Sequence, residues 1–352
     1  MKQMYGYSKN GDTAQALKGI GNPKAIIFFV DKSNVERTTD EIHKRFPDAV
    51  SIGCVGESYA GKSVYEDGLL VIGYEGVDAV GGVIGNVGTM PLASIEDFKE
   101  DVIKINAGKD DTVCVDFTTG NDAELVTTIN IALKPKNISL VGGTAWEDTV
   151  AYNGKIYHDA CVYILLRNLG GKIKAYRENL YEIYPDSPRY IATKVDTEKC
   201  ALYELDGKSV QKAYAEVFGL SGVTPEQTVQ NPLGRIIGDE VYLISLKEAV
   251  ENGGFTCYKK VNAMDIITLM ELKDMDEIIN DTLREIHSDF PHIQGMFSVN
   301  CIFRHLLFQQ KRYEDQYLQT MNSLGSHAGL IGLGEHYNTQ HVNQTMSGFA
   351  FD

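Results

Sequence analysis

One order of elements recurs three times along this chain: an apolar strand, an amphipathic helix, a second strand, a glycine-containing turn and a hairpin. In the first repeat, AIIFFV at 25–30 reads as a buried strand. A helix over 33–46 follows, with Ser33 as its cap, Glu36 completing a capping box and Pro47 ending it. Its apolar face carries Val35, Ile42 and Phe46. Strands over 49–55 and 69–74 come next, with Asp67-Gly68 as a turn. A helix over 95–105, capped by Ser94, leads into the second repeat. That repeat has a strand over 112–117, a helix from Asn121 to Leu133, a strand over 138–141 running into GGTAWED, a hairpin at Asn153-Gly154 and an apolar run over 160–166. The third has a strand over 296–301, a helical stretch over 303–322, a strand over 328–333 and a last strand over 346–351. The echo is sharpest where Val55-Gly56-Glu57 matches Leu333-Gly334-Glu335, with Tyr59 and Tyr337 two residues on.

This order predicts an α+β fold: two related domains of mixed β-sheets covered by helices, with loose internal strand-helix-strand-hairpin repeats. At 352 residues the chain is long for one domain and comfortable for two. The stretch Tyr184-Pro185-Asp186-Ser187-Pro188-Arg189 breaks regular structure and supplies the boundary. The expected domains are 1–189 and 190–352, with the cut lying anywhere between about 170 and 220.

Composition narrows the function classes. Against 33 Lys and Arg stand 48 Asp and Glu, a formal charge of −15 that no basic cluster interrupts. Neither nucleic acid nor an anionic membrane surface suits such a chain. Its apolar runs, such as 25–30, are far short of the roughly 20 residues that span a bilayer. The opening MKQMYGYSKN lacks the apolar centre of a signal peptide. Six cysteines (Cys54, Cys114, Cys161, Cys200, Cys257 and Cys301) sit 39 to 60 residues apart, neither a disulfide framework nor a paired metal motif. The expectation is a cytoplasmic protein with reduced thiols, no metal and no cofactor.

Residues 56–63, GESYAGKS, match the phosphate-binding pattern G-x-x-x-x-G-K-S/T after a strand. That pattern requires a helix whose first amides hold phosphate. Here Asp67-Gly68 turns within four residues of Ser63 and a β-rich run follows, which leaves the helix no room. The match is rejected.

The densest polar chemistry lies in the last 60 residues. If the strands over 296–301 and 328–333 are neighbours, Arg304 and Glu335 project from the same sheet edge. Glycines beside Glu335 would let a ligand reach the backbone. Arg304 offers a bidentate guanidinium to a carboxylate, and Glu335 offers a carboxylate to an ammonium. Asn343, Gln344 and Thr345 add neutral donors and acceptors. The plainer alternative has Arg304 and Glu335 paired with each other as a brace.

These residues resemble those of the FIST proteins, two-part sensory modules with an N-terminal and a C-terminal FIST domain. The C-terminal pattern is a strand ending in Cys and Arg, a Gly-rich strand ending in Gly-Glu, and a His/Asn/Gln/Thr motif. The chain supplies Cys301 and Arg304, then Gly334-Glu335, then His341, Asn343, Gln344 and Thr345 in HVNQT. Asn231-Pro232-Leu233-Gly234 and the strand over 240–246 resemble the start of that domain. In the N-terminal half, SIGCVGES at 51–58 resembles the family's glycine turn through Gly53, Cys54, Gly56 and Glu57, with its Ser-Thr pair collapsed to Val55. LVGGTAWED at 140–148 resembles a later turn of the family. The resemblance covers nearly the whole chain. It implies an intracellular ligand-binding sensor rather than an enzyme, with an amino acid or related metabolite as ligand and these residues as its site. With both halves used by the sensory module, output would fall to a separate partner, such as a chemoreceptor, a histidine kinase or a cyclic-dinucleotide enzyme.

A thiol-dependent hydrolase or transferase is the rival reading. Cys301 and Cys54 each end a strand, and His305, His336 and His341 lie near Cys301 in sequence. Activation would need a histidine within hydrogen-bonding reach and an electropositive helix start. Against that, cysteines ending apolar strands are usually small buried hydrophobes. His327, His336 and His341 with Glu335 lack the i, i+4 spacing of a helical zinc site, so hydrogen-bonded histidines are expected. Trp146, the sole tryptophan, is expected in the core rather than in a pocket wall.

Overall fold

In a computed structural model, which describes residues 1–220 and 222–352, the chain forms an α+β protein of two compact units. The first comprises Met1–Glu178, Asn280–His341 and Thr345–Asp352; the second comprises Asn179–Ile279 and Val342–Gln344. A single cut at 189/190 does not reproduce these units, because late strands pair with early ones. Ser326–Gly332 runs antiparallel to Glu57–Ala60, with Ala328 opposite Ala60 and Ile331 opposite Glu57. Among the described residues no helix is long and apolar enough to cross a membrane.

The threefold recurrence becomes three six-stranded sheets in the first unit, all on one plan. The two strands that flank a helix run parallel: Ala25–Val30 with Val50–Val55, Thr112–Thr118 with Ser139–Thr144, and Gly295–Cys301 with Ser326–Gly332. A third strand of each repeat, Leu69–Glu75, Ala160–Asn168 or Thr345–Phe351, lies antiparallel to the first. Lys2–Ser8, Val77–Gly85 and Ile173–Asn179 complete that side of the three sheets. The hairpin of each repeat leaves its own sheet. Glu57–Ala60 with Ser63–Tyr65 joins the third sheet through Ser326–Gly332. Val150–Tyr152 with Lys155–Tyr157 joins the first through Val50–Val55, and Glu335–Tyr337 with Gln340–Val342 joins the second through Ser139–Thr144. The lending runs in a closed ring.

Both faces of the central strands are covered, which is why they read as unbroken apolar runs. Inside, one ring from each repeat, Phe29, Phe117 and Phe297, meets the other two with centroids 5.3, 6.3 and 6.5 Å apart. Outside, helix Val35–Arg45 covers the first sheet with Val35 and Ile42, while Ile95–Lys104 and Asp122–Leu133 cover the second. Helix Ile302–Lys311 packs on the third.

Several local expectations need correction. The 33–46 helix begins at Val35, and Ser33 does not cap it: its hydroxyl donates to Asp31 Oδ1 at 2.5 Å, and that carboxylate accepts the Asn34 amide. Asn121 precedes Asp122–Leu133 in the left-handed conformation, without a side-chain cap bond. The 303–322 stretch is two helices, Ile302–Lys311 and Glu314–Met321, broken where Arg312 turns left-handed at φ +55°. GESYAGKS forms a hairpin with Gly61 at φ +59°, a conformation glycine adopts without strain.

Gly329 sits where the third sheet is tightest. A Cβ there would overlap the Ser298 carbonyl and approach the Tyr59 hydroxyl to 2.6 Å. Gly329→Ala is expected to lower stability by about 1–3 kcal/mol in chemical unfolding. An unchanged midpoint would show that these strands spread freely.

The second unit is a nine-stranded antiparallel sheet with Ile266–Leu272 and Tyr190–Asp196 near its middle. Helices Val210–Phe218 and Pro225–Gln230 are capped by Ser209 and Thr224, whose hydroxyls accept the Lys212 and Gln227 amides. Val210, Ala213 and Tyr214 pack with Leu202, Leu205 and Leu233 in its core.

Candidate functional site

Cys301 ends the strand Gly295–Cys301 and is the N-cap position of helix Ile302–Lys311, which puts Arg304 in the first turn. The Arg304 side chain is fully buried. Its Nη2 donates to Glu178 Oε1, carried by the strand Ile173–Asn179. The guanidinium carbon lies 4.8 Å from the Phe308 ring centre and 5.2 Å from that of Tyr317. Burial alone would lower the Arg304 pKa, but Glu178 and Tyr317 more than offset it, so the guanidinium stays charged. Among the described residues, Arg304 Nε and Nη1 and Glu178 Oε2 are buried without a hydrogen-bond partner.

A polar chain continues across the same region. Asn300 Nδ2 donates to the Tyr317 hydroxyl at 3.2 Å, and the Tyr59 hydroxyl donates to the Ser298 carbonyl at 2.8 Å. Ser298 Oγ lies 2.9 Å from His327 Nε2. Burial pushes His327 down to about 3, so it is neutral. Tyr59, Asn300, His305, Phe308, Glu314 and Tyr317 border a space of about 10 Å³, room for about one water.

A second ionic cluster centres on His336. This ring stands opposite Gly142, with Nδ1 2.8 Å from Asp116 Oδ2 and Nε2 2.9 Å from Asp122 Oδ1. With a carboxylate at each nitrogen, both positions donate and the ring is an imidazolium. Burial alone would lower its pKa, but the two carboxylates push it up to about 10. Burial would raise Asp122, yet His341, His336 and Thr144 together hold it well below the usual carboxylate range. The His341 ring stands edge-on to His336, centroids 5.9 Å apart. Among the described residues no group of three or more His, Cys, Asp or Glu has the geometry to hold a metal ion.

The structure separates some residues that the sequence placed together. Glu335 is buried opposite Gly143, one residue before His336 and therefore on the other face of its strand. The carboxylate that Arg304 meets belongs to Glu178, not Glu335, because Ile173–Asn179 joins the third sheet beside Thr345–Phe351. Gly334 packs tightly: a Cβ would lie 2.5 Å from His341 Nε2 and 3.1 Å from Thr144 Oγ1. Thr345 opens the last strand, buried. Asn343 and Gln344 belong to the second unit, where Gln344 Nε2 donates to the Val229 carbonyl at 3.3 Å. Gly53 packs under the Phe28 ring, and Gly56 lies against Leu330 and Trp146. Burial pushes the Cys54 thiol far up. Glu57 is half-buried, and burial with Glu66, Asp67 and Glu314 raises its carboxyl. Glu57 enters the third sheet on the lent hairpin that also brings Tyr59 to Ser298, whereas Gly53 and Cys54 stay in the first sheet.

His305, the histidine nearest Cys301 in sequence, lies 3.1 Å from Glu314 and 2.9 Å from Gln309. Cys301 is fully buried. Trp146 is half-buried, and its indole N–H donates to the Ile331 carbonyl at 2.7 Å. The sequence reading missed Asp116, Asp122, Glu178, Asn300 and Tyr317. Asp116 alone carried a usable signal, a carboxylate inside the apolar run TVCVDFT.

The FIST N domain family matches residues 24–208, and the FIST C domain family matches residues 212–338. The chain belongs to the FIST family. FIST domains are sensor domains of signal transduction. Curated proteins, by contrast, include no match to the chain. In this FIST protein Arg304 and His336 lie in the FIST C match, while Glu178, Asp116 and Asp122 lie in the FIST N match. Both buried ionic clusters therefore join the two family segments. The motif HVNQT at 341–345 follows the end of the FIST C match.

Proposed function

We propose that this FIST protein binds an amino acid or similar small polar metabolite at the Arg304–Glu178 pair and reports it to a separate partner. That partner is a chemoreceptor, a histidine kinase or a cyclic-dinucleotide enzyme, and the setting is the cytoplasm. One observation carries the reading: inside a fully buried ion pair, Arg304 Nε and Nη1 and Glu178 Oε2 have no hydrogen-bond partner among the described residues. Each such group costs about 1–3 kcal/mol unmet. A zwitterion carries both complements, a carboxylate for the guanidinium and an ammonium for the carboxylate. Tyr317 and Asn300 supply neutral groups beside them.

The neighbouring space of about 10 Å³ does not admit an amino acid, so binding has to move Ile302–Lys311 and Glu314–Met321 off the sheet. A ligand accepted only by the displaced arrangement has the differential affinity that sensing requires. The test is a thermal-shift panel of amino acids and related metabolites on wild type, Arg304→Lys and Arg304→Ala. At about 100 times Kd the ligand adds about 2.7 kcal/mol of stability. The expected result is a shift with one metabolite that Arg304→Lys weakens and Arg304→Ala abolishes. No shift with any compound, or a shift that Arg304→Ala leaves intact, rejects the reading.

A further inference from the structure

We infer that Cys200 and Cys257 are a redox-modification site, closing to a reversible disulfide in the second unit. The two lie far apart in sequence but end opposite each other, Cys257 in the strand Gly254–Cys257 and Cys200 just before the strand Ala201–Leu205. Ala201–Leu205 pairs antiparallel with Gly254–Cys257, Ala201 opposite Thr256 and Leu202 opposite Phe255. One residue further along this register, Cys200 stands opposite Cys257, and the Cys257 amide donates to the Cys200 carbonyl at 2.7 Å. Opposed residues in a hydrogen-bonded antiparallel pair have Cα atoms about 5.5 Å apart, within the range disulfides span. A disulfide brings its Cβ atoms to about 4 Å, so closure calls for a local movement. Cys200 is the residue free to make it. It ends the turn over 197–200, outside the strands, in the left-handed conformation at φ +50°.

Exposure separates Cys200 from the other five cysteines. Cys54, Cys114, Cys161 and Cys301 are fully buried, Cys257 is 4% exposed, and Cys200 is half-buried, within reach of solvent. Cys114 and Cys161 share neighbouring strands without being opposed, since Cys114 faces Leu165 and Cys161 faces Thr118. Burial pushes the Cys257 thiol up to about 12, with the Lys259 and Arg235 cations working against it. Cys200 is therefore the sulfur that meets an oxidant, and Cys257 the one that resolves it.

The oxidant is a peroxide. The Cys200 sulfur attacks one peroxide oxygen, the O–O bond breaks, and the product is a sulfenic acid and one water. The Cys257 sulfur then attacks the Cys200 sulfur. The S–S bond forms, the S–O bond breaks, and the departing hydroxide leaves as a second water with the Cys257 proton. Two thiols and one hydrogen peroxide give one disulfide and two waters. A small thiol reductant such as glutathione returns both cysteines. The bond ties the 197–200 turn to Gly254–Cys257 and closes a loop that contains helices Val210–Phe218 and Pro225–Gln230.

The experiment exposes the full chain, reduced and desalted, to hydrogen peroxide. Thiols are then counted after unfolding and peptides are mapped without reductant. The expected result is loss of two of the six thiols and a linked peptide pair holding Cys200 and Cys257, with both changes reversed by glutathione. In Cys257→Ser the Cys200 sulfenic acid should persist and be captured by dimedone, and in Cys200→Ser no disulfide should form. Six thiols remaining, a disulfide between any other two cysteines, or Cys200 oxidised while Cys257 stays free would each overturn the inference.

Discussion

Replacing His336 with glutamine is expected to lower the free energy of unfolding by about 3–5 kcal/mol and to flatten its dependence on alkaline pH. Among the described residues the imidazolium is the one cation bonded to both Asp116 and Asp122, and a glutamine amide donates from one end only. The variant therefore keeps a buried carboxylate without a donor. The sign of the pH effect follows from the shifts. His336 is raised from 6.5 to about 10 on folding, so its contribution is complete below 6.5 and is lost as pH rises through 10. Asp122 is lowered from 3.8, so its contribution is present above 3.8 and is lost as pH falls through its folded value. The cluster is at full strength between those limits, and wild-type stability should decline from about pH 6.5 to about pH 10. Denaturant unfolding of both proteins at about pH 6, 8 and 10 measures it. A loss below about 1 kcal/mol, or the same alkaline decline in both, would mean that water reaches the carboxylates and screens them.

The Arg304–Glu178 pair should behave differently when both partners go. Glu178→Leu alone leaves an uncompensated guanidinium in the core and should cost about 3–5 kcal/mol, as should Arg304→Met alone. The double variant should recover most of that loss, because apolar side chains of similar volume often match a buried ion pair. The metabolite-induced thermal shift should be absent in all three. Stability would thus return while sensing does not, separating the pair's part in holding the fold from its part in binding. Purely additive single losses would show that the two side chains are not energetically coupled.

Much of this architecture was legible because the central strands are buried on both faces. AIIFFV and its counterparts announced themselves without alternation, and the repeat order held through all three sheets. The hairpin exchange was not legible. Strand pairing between Glu57–Ala60 and Ser326–Gly332 spans most of the chain, and nothing in either segment names its partner. The same gap explains the site. Arg304 stood out as a cation at a strand–helix junction, but Glu178 sits in a strand whose place in the third sheet only the topology reveals. Ser33 failed as a cap because Asp31, two residues earlier, captures both its hydroxyl and the Asn34 amide.

The ring of lent hairpins has a consequence for any attempt to dissect the protein. The segment 24–208 holds the hairpin at Glu57–Tyr65 but not Ser326–Gly332, which receives it, and its strand Ser139–Thr144 waits for Glu335–Tyr337. Expressed alone, such a fragment would carry one bare sheet edge and one unmated hairpin, the template on which chains aggregate. FIST N and FIST C are thus modules of sequence whose sheets close only together. A polypeptide holding just one repeat would meet the same problem. Single-repeat chains lending in the cyclic order seen here would close as three copies around a threefold axis, an arrangement that this chain holds within one polypeptide.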